Sequence, residues 1–416
     1  MAPPPSGASR SALYLHVGAA KSGTTYLQNI LWHNRERLRG NGFLYPGVDS
    51  ASHVRAAFDL RGTFFGGGSD PSVQGTWRGL VEEARDWPGD VILSQELFAP
   101  ATPEEIARAL GDLDFLDVHV VFTARDLARQ IPAHWQEDVK NRFTTSFPDF
   151  VASLRHRNWR EIDSARLFWG LQDPVAVLAR WGASLPPDRV HVVTLPRPGA
   201  PRDLLWQRFC AAVGLVPDEY DLSVSFANPS LGLAETEFLR LLNGALDEGL
   251  GWPVYNDAIK HYLAQDVLTA RPAPVRIGLP ADDLRWATER AIETAEGLRA
   301  ARYHVVGDLY ELVPAEGAVG VELTEPPPAD LADVGVDAVA ALLLRVLERE
   351  RQAGSAPPVR DQIDLMRGEA VELRDRTGQL LDDTVPLVHR AVRQASERYP
   401  AVRRVRGAYR RIQDRR

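Results

Sequence analysis

Cysteine occurs once in the 416 residues, at Cys210, which excludes an intramolecular disulfide framework and a cysteine-based zinc knuckle. Such a chain suits a reducing compartment, and the cytoplasm is the expected location. Lysine is nearly as scarce. Of 48 basic residues only Lys21, Lys140 and Lys260 are lysines, so each stands where arginine would otherwise be expected. Long apolar runs are missing too: none approaches the roughly 20 residues that span a bilayer, and the stretch before Gly18 is too short for a signal-peptide core. Excess positive charge is also absent. The 56 acidic residues outnumber the basic ones for a net charge of −8, which disfavours a protein that coats nucleic acid. What remains is ordinary globular material, 44% hydrophobic and 25% charged, long enough for two or three folding units at roughly 150 residues each.

The apolar run 12–17 (ALYLHV) predicts a buried strand, followed by a small-residue turn and an amphipathic helix to about Arg39. Further strands are expected at 42–45, 91–94, 117–123 and 190–194, with helices at 103–110, 126–140, 148–157, 171–183 and 201–213. Alternation of this kind predicts an α/β fold, a central parallel sheet flanked by helices on both faces. Residues 233–310 read as helical, ending in an apolar run that packs on the same body. The expected organisation is a disordered N-terminus over 1–10, an α/β domain over 11–312, a proline-rich linker over 313–331 and a helical extension over 332–416. Within the extension, Val336, Val339, Ala340, Leu343, Leu344 and Leu347 form one apolar helix face. Residues 386–416 hold ten arginines against Glu397 and Asp414, a basic island suited to an acidic membrane or an acidic partner. No nucleic-acid-binding motif accompanies it.

Gly18-Ala-Ala-Lys21-Ser22-Gly23-Thr24-Thr25 lies between the first strand and the first helix. There, backbone N–H groups and the positive helix end converge on an anion. Gly18 and Gly23 allow close approach, Lys21 adds a point charge, and Ser22, Thr24 and Thr25 add hydroxyl donors. An ordinary glycine turn would explain the glycines but not the lysine and three hydroxyls. The nucleoside triphosphatase pattern G-x-x-x-x-G-K-[ST] is nearly met, except that Thr24 occupies its lysine position and Lys21 lies three places earlier.

KSGTTY at 21–26 resembles the 5′-phosphosulfate loop of the sulfotransferases, enzymes that use 3′-phosphoadenosine 5′-phosphosulfate (PAPS) and share a P-loop, nucleotide-kinase-like α/β fold. The resemblance implies that Lys21 stabilises the leaving phosphate as a sulfuryl group departs, without a metal. Tyr26 stands where related loops carry an adenine-stacking tryptophan. The strand VHVVFT leading into Ala124-Arg125-Asp126 is similar to the family's 3′-phosphate segment, and Arg125 matches its arginine. The serine expected eight residues later is Ala133, and Gln130, one helical turn earlier, is the candidate substitute donor. Ala227-Asn228-Pro229-Ser230-Leu231-Gly232 resembles in position the late loop that closes over the 3′-phosphate, without its basic residue, which makes Ser230 and Gly232 candidate contacts.

An acceptor hydroxyl or amine must lose a proton as it attacks, which calls for a base. Glu96, just past the strand VILS, is the first candidate, and His53, in the loop region after the cradle helix, the second. His134 rides the 3′-phosphate helix and is less suited. Loops 46–78 and 136–172, rich in aromatic residues and arginine, are expected to line the pocket of a small-molecule, glycan or lipid acceptor. The same fold leaves two other readings open, a kinase using ATP-magnesium and a non-catalytic nucleotide-binding scaffold.

Overall fold

The computed structural model describes residues 10–63, 70–223, 230–247, 249–272, 274–315, 320 and 325–352. The N-terminal segment before residue 10, Phe64, Phe65, Ala227–Pro229, residues 316–319 and 321–324 of the proline-rich linker, and the basic island of 386–416 lie outside them.

The chain opens with β1 (Ala12–Gly18), α1 (Thr24–His33), α2 (Arg35–Gly40), β2 (Phe43–Leu44), α3 (Ser52–Arg61) and α4 (Thr76–Arg85). Then come β3 (Asp90–Ser94), α5 (Pro103–Asp112), β4 (Asp117–Ala124), α6 (Leu127–Lys140), α7 (Phe147–Arg155), α8 (Asp163–Gln172) and α9 (Pro174–Trp181). They are followed by β5 (Val190–Thr194), α10 (Leu204–Val213), α11 (Leu233–Ala245), α12 (Trp252–Tyr255), α13 (Ala281–Ala301), β6 (His304–Val306) and α14 (Pro328–Gln352). Two compact units result. One takes the described residues of 1–135, 147–228 and 278–322, and the other those of 136–146, 229–277 and 323–416.

The first unit holds a six-stranded sheet in the order β2-β3-β1-β4-β5-β6, parallel throughout, so the α/β expectation holds. β1 lies centrally between β3 and β4. Alternation along β1 separates two cores. Leu13, Leu15 and Val17 face a layer containing Trp77 of α4, Ile106 of α5, Trp181 of α9 and Leu298 of α13. On the opposite face, Leu27 and Leu31 of α1 and Phe209 and Val213 of α10 pack over Ile92, Val121 and Val193. A parallel sheet covered on both sides leaves its carboxyl edge, where β1 and β4 end, as the place for a ligand.

Two departures from the sequence reading have plain causes. The helix expected over 171–183 is two helices, because Asp173 Oδ1 accepts from Val175 N and Ala176 N and Pro174 opens α9 at a position that needs no N–H. The apolar run after Tyr303 supplies a sixth strand, β6, paired with β5.

In the second unit, α11, a π-helix over Asn256–Val267 and α14 are tied together by polar contacts. Arg271 pairs with Glu235 at 2.9 Å and with Asp337, Tyr262 Oη donates to Ala341 O at 2.9 Å, and Arg345 pairs with Asp257 at 2.9 Å. These anchors turn Val334 and Ala338 inward. The apolar face read from the sequence is thereby left outward, with Val339 58% and Leu344 42% exposed. Lys140 and Lys260 both pair with Glu137 here, at 3.5 and 3.2 Å.

Candidate functional site

The turn after β1 is built from the sheet side. Thr123 Oγ1 on β4 donates to Gly18 O at 2.9 Å, and Ser22 Oγ donates to Ala19 O at 2.5 Å. Gln130 Nε2 on α6 donates to Ala20 O, and Arg125 Nη1 donates to Lys21 O at 2.8 Å. Four consecutive carbonyls are thus occupied by donors from the turn itself, from β4, from Arg125 just after it and from α6. Lys21 and Gly23 both adopt left-handed backbone, at φ 63 and 87, on either side of Ser22. Alternating handedness curls successive N–H groups into a concavity that suits an anion. A left-handed lysine is uncommon and carries a conformational cost, which marks the turn as more than a connection.

Both glycines are required. A Cβ on Gly18 would lie 2.8 Å from the Phe122 ring, and one on Gly23 would lie 2.4 Å from Leu205 Cδ2. Gly23 is also the N-cap of α1, which opens without any side-chain cap. The first N–H groups of the helix therefore remain for a ligand.

The hydroxyls divide. Ser22 is fully buried, and its oxygen also lies 2.5 Å from Thr123 Oγ1, so it builds the floor of the turn and does not point at a ligand. Thr24 is buried and Thr25 exposed at the helix start. Tyr26 packs against the cluster of Leu27, Leu205 and Phe209, as a core residue would. Burial raises its phenol above the ordinary value, with Asp203 adding to the effect.

Sequence reasoning missed the residues beneath the turn. His16 on β1 lies between Ser94 Oγ, 2.8 Å from Nδ1, and Thr123 Oγ1, 3.2 Å from Nε2. Its ring is 1% exposed, and burial pushes its pKa down to about 4. A buried polar chain therefore runs Ser94, His16, Thr123, Ser22, with its end on the loop carbonyls. The available signal was a histidine at an interior position of a central strand, where a polar ring needs partners.

Arg125 follows β4 directly, as expected. Burial pushes its pKa down to about 10, with Arg129 adding to the effect and Asp126 opposing it. Its Nε is buried and has no hydrogen-bond partner among the described residues. Asp126 caps α6, accepting from Arg129 N at 3.0 Å. Gln130 differs from its expected role. Both amide hydrogens are committed, to Ala20 O and to Gln172 Oε1, so the group left over is an acceptor and not a phosphate donor.

Glu96 is half-buried two residues beyond β3, and its Oε2 accepts from Gln28 Nε2 of α1 at 2.9 Å. Gln28 lies one helical turn past Thr24, so Glu96 stands beside the helix whose start forms the cradle. His53 lies not in a loop but in the first turn of α3, and both its ring nitrogens are engaged: Nδ1 accepts from Ser94 N at 3.1 Å and Nε2 donates to Pro46 O at 2.8 Å. Burial pushes its pKa down to about 4. Of the expected acceptor wall, Trp77 and Trp169 are core residues. Ser230 and Gly232 belong to the second unit, where Ser230 is exposed and Gly232 is the N-cap of α11.

Among the described residues no group of three or more His, Cys, Asp or Glu could hold a metal ion, and no helix is long and apolar enough to cross a membrane. No protein-family model matches the sequence, and no curated protein does. Among solved structures, the chain is similar to a sulfotransferase from Alicyclobacillus acidocaldarius, at 17% identity and a TM-score of 0.32, over 53% of this chain and 87% of that one.

Proposed function

We propose that the protein is a sulfotransferase that moves a sulfuryl group from PAPS to a hydroxyl or amine of a small-molecule, glycan or lipid acceptor. The observation that carries this reading is the turn 18–23, whose carbonyls are taken up by Thr123, Ser22, Gln130 and Arg125 while α1 opens on an uncapped left-handed glycine. A turn so disposed offers N–H groups and a positive helix end to a phosphosulfate. The sequence KSGTTY, which runs from the turn into α1, supports the sulfuryl donor over a nucleoside triphosphate.

PAPS, when bound, supplies a sulfuryl group attached to a good leaving phosphate. The bond from sulfur to the bridging oxygen breaks as the bond from sulfur to the acceptor oxygen or nitrogen forms. Negative charge builds on the bridging oxygen, and a positioned cation there contributes several kcal/mol to lowering the barrier. Lys21 has that role. The acceptor proton passes to Glu96, which its hydrogen bond from Gln28 holds in one orientation. His53, with both nitrogens engaged, is a structural residue that fixes β3 to the turn before α3.

The test is a thermal-shift titration with adenosine 3′,5′-bisphosphate against ATP-magnesium, followed by a radiolabelled sulfate-transfer screen over hydroxylated lipids, glycans and metabolites. Stabilisation by the bisphosphate alone is expected. Stabilisation by ATP-magnesium alone would favour a kinase, and by neither a scaffold that no longer binds nucleotide.

A further inference from the structure

The floor of the turn is one buried polar chain whose hydrogens can be counted. Ser94 Oγ lies 2.8 Å from His16 Nδ1, His16 Nε2 lies 3.2 Å from Thr123 Oγ1, and Thr123 Oγ1 lies 2.9 Å from Gly18 O. Ser22 Oγ meets both Thr123 Oγ1 and Ala19 O. All four side chains are buried, His16 the most exposed of them at 1%, so they must satisfy one another and the main chain.

The direction of the chain follows from its carbonyl end. Gly18 O and Ala19 O can only accept, so the Thr123 hydrogen goes to the first, and the Ser22 hydrogen goes to the second and is shared with Thr123 Oγ1. Thr123 then has no hydrogen left for His16. The ring must donate from Nε2, and Nδ1 of the same neutral ring accepts from Ser94 Oγ, whose hydrogen has no other acceptor among the described residues. The opposite tautomer would draw the Thr123 hydrogen away from Gly18 O.

This order reaches the open side of the turn. Ala19 N donates to Thr123 O at 2.8 Å, so both sides of the Gly18–Ala19 peptide rest on Thr123. Ala19 O faces Ser22 in the floor, and across the trans peptide that follows, the Ala20 N–H faces the other way. Burial divides along the same line: Ser22 and Thr24 are buried, Ala20, Lys21 and Gly23 are half-buried and Thr25 is exposed.

We propose that His16 is a positioning residue of the anion-binding turn, which as its Nε2–H tautomer fixes the Thr123 hydroxyl on Gly18 O and so holds the turn's outward N–H groups for the 5′-phosphate end of the nucleotide. His16 acts through Thr123 and Ser22 and touches no ligand. The inference rests on the PAPS reading and adds to it what keeps the cradle in shape.

The experiment measures, by calorimetry, the ratio of affinities for adenosine 3′,5′-bisphosphate and adenosine 3′-phosphate, which isolates what the 5′-phosphate contributes. His16→Met is expected to lower that ratio about tenfold, and His16→Gln, which keeps a donor, to restore most of it. Thr123→Val should lower it equally, and the double variant His16→Met with Thr123→Val no further, because the two residues form one chain. The tautomer is read on the unaltered protein from its histidine nitrogen NMR shifts, with Nε2 of His16 expected to be the protonated nitrogen. Protonation at Nδ1 instead, or a His16→Met variant that weakens both ligands by the same factor as a merely structural loss would, overturns the inference and leaves the sulfotransferase reading intact. Failure of the unaltered protein to bind the bisphosphate overturns the two together.

Discussion

The two ends of one sheet bury polar side chains in different ways. Toward the amino ends of β4, β5 and β6, His119, His191 and His304 hydrogen-bond ring to ring, at 2.9 Å between His119 Nδ1 and His191 Nε2 and 2.8 Å between His191 Nδ1 and His304 Nδ1. Tyr14 packs its ring 5.1 Å from His119. At the carboxyl end the chain Ser94, His16, Thr123, Ser22 closes on main-chain oxygens of the turn, and Arg125 and Gln130 beside it each keep an atom without a hydrogen-bond partner among the described residues. Histidines at one end satisfy one another, whereas polar groups at the other set the direction of peptide dipoles and leave capacity over. Burial alone therefore does not mark a site. What marks it is polar groups organised around a turn yet unfinished among themselves.

The sharpest break in this comparison is Lys21→Ala, which is expected to lower turnover roughly a hundredfold or more, read as initial rate in the sulfate-transfer assay. Unchanged transfer would remove Lys21 from its assigned role. Glu96→Gln should also lower turnover, by less, since water can still take the acceptor proton.

Acid should act on both ends at once. His16, His53 and His191 all have folded pKa values pushed down to about 4, each chiefly by burial. In the unfolded chain they titrate near 6.5, so between these values the unfolded state binds more protons. Their contribution to stability is complete above about pH 6.5, falls as pH drops, and is lost through pH 4. For each fully buried ring the loss is on the order of 3 kcal/mol. Chemical denaturation at pH 7 and pH 4.5 measures it, and equal stability at the two values would contradict the buried neutral rings.

Gly23→Ala should cost about 1–3 kcal/mol, because an L side chain is strained at φ 87 and its Cβ would meet Leu205. The same variant should lose adenosine 3′,5′-bisphosphate binding at temperatures where it remains folded. Retained binding would mean that the turn need not keep this shape.

These effects also show what the sequence made legible. Strand, glycine turn and helix were readable because a buried parallel strand must be a continuous apolar run and its turn must be small, so Gly18, Lys21 and Gly23 could be singled out from the residues, whereas Arg125 was singled out by the resemblance of its segment to a known one. The amide orientation of Gln130 was not readable. It depends on Gln172, 42 positions away, and on a carbonyl direction that only the folded turn defines. His53 read as a candidate base because local sequence does not reveal that Ser94 N and Pro46 O claim its two nitrogens. On α14, periodicity identified an apolar stripe but not which face turns inward, since ion pairs from Arg271 and Arg345 choose it.

The smallest effect sharpens the amino-end half of the comparison. His304 is the exposed end of its ladder, whereas His191 is 5% exposed. Burial is the main reason His191 resists protonation, and the neighbouring rings of His119 and His304 add to it while Asp188 opposes them. His304→Ala removes one opposing ring and admits water to His191 Nδ1. The His191 titration, followed by NMR, should therefore move upward from about 4 toward the ordinary value, with a stability change at pH 7 of only about 1 kcal/mol. Binding of adenosine 3′,5′-bisphosphate should not change, because the ladder contributes nothing to the turn. A loss of binding in this variant would show that the two ends of the sheet are coupled and that the contrast between them is one of position only.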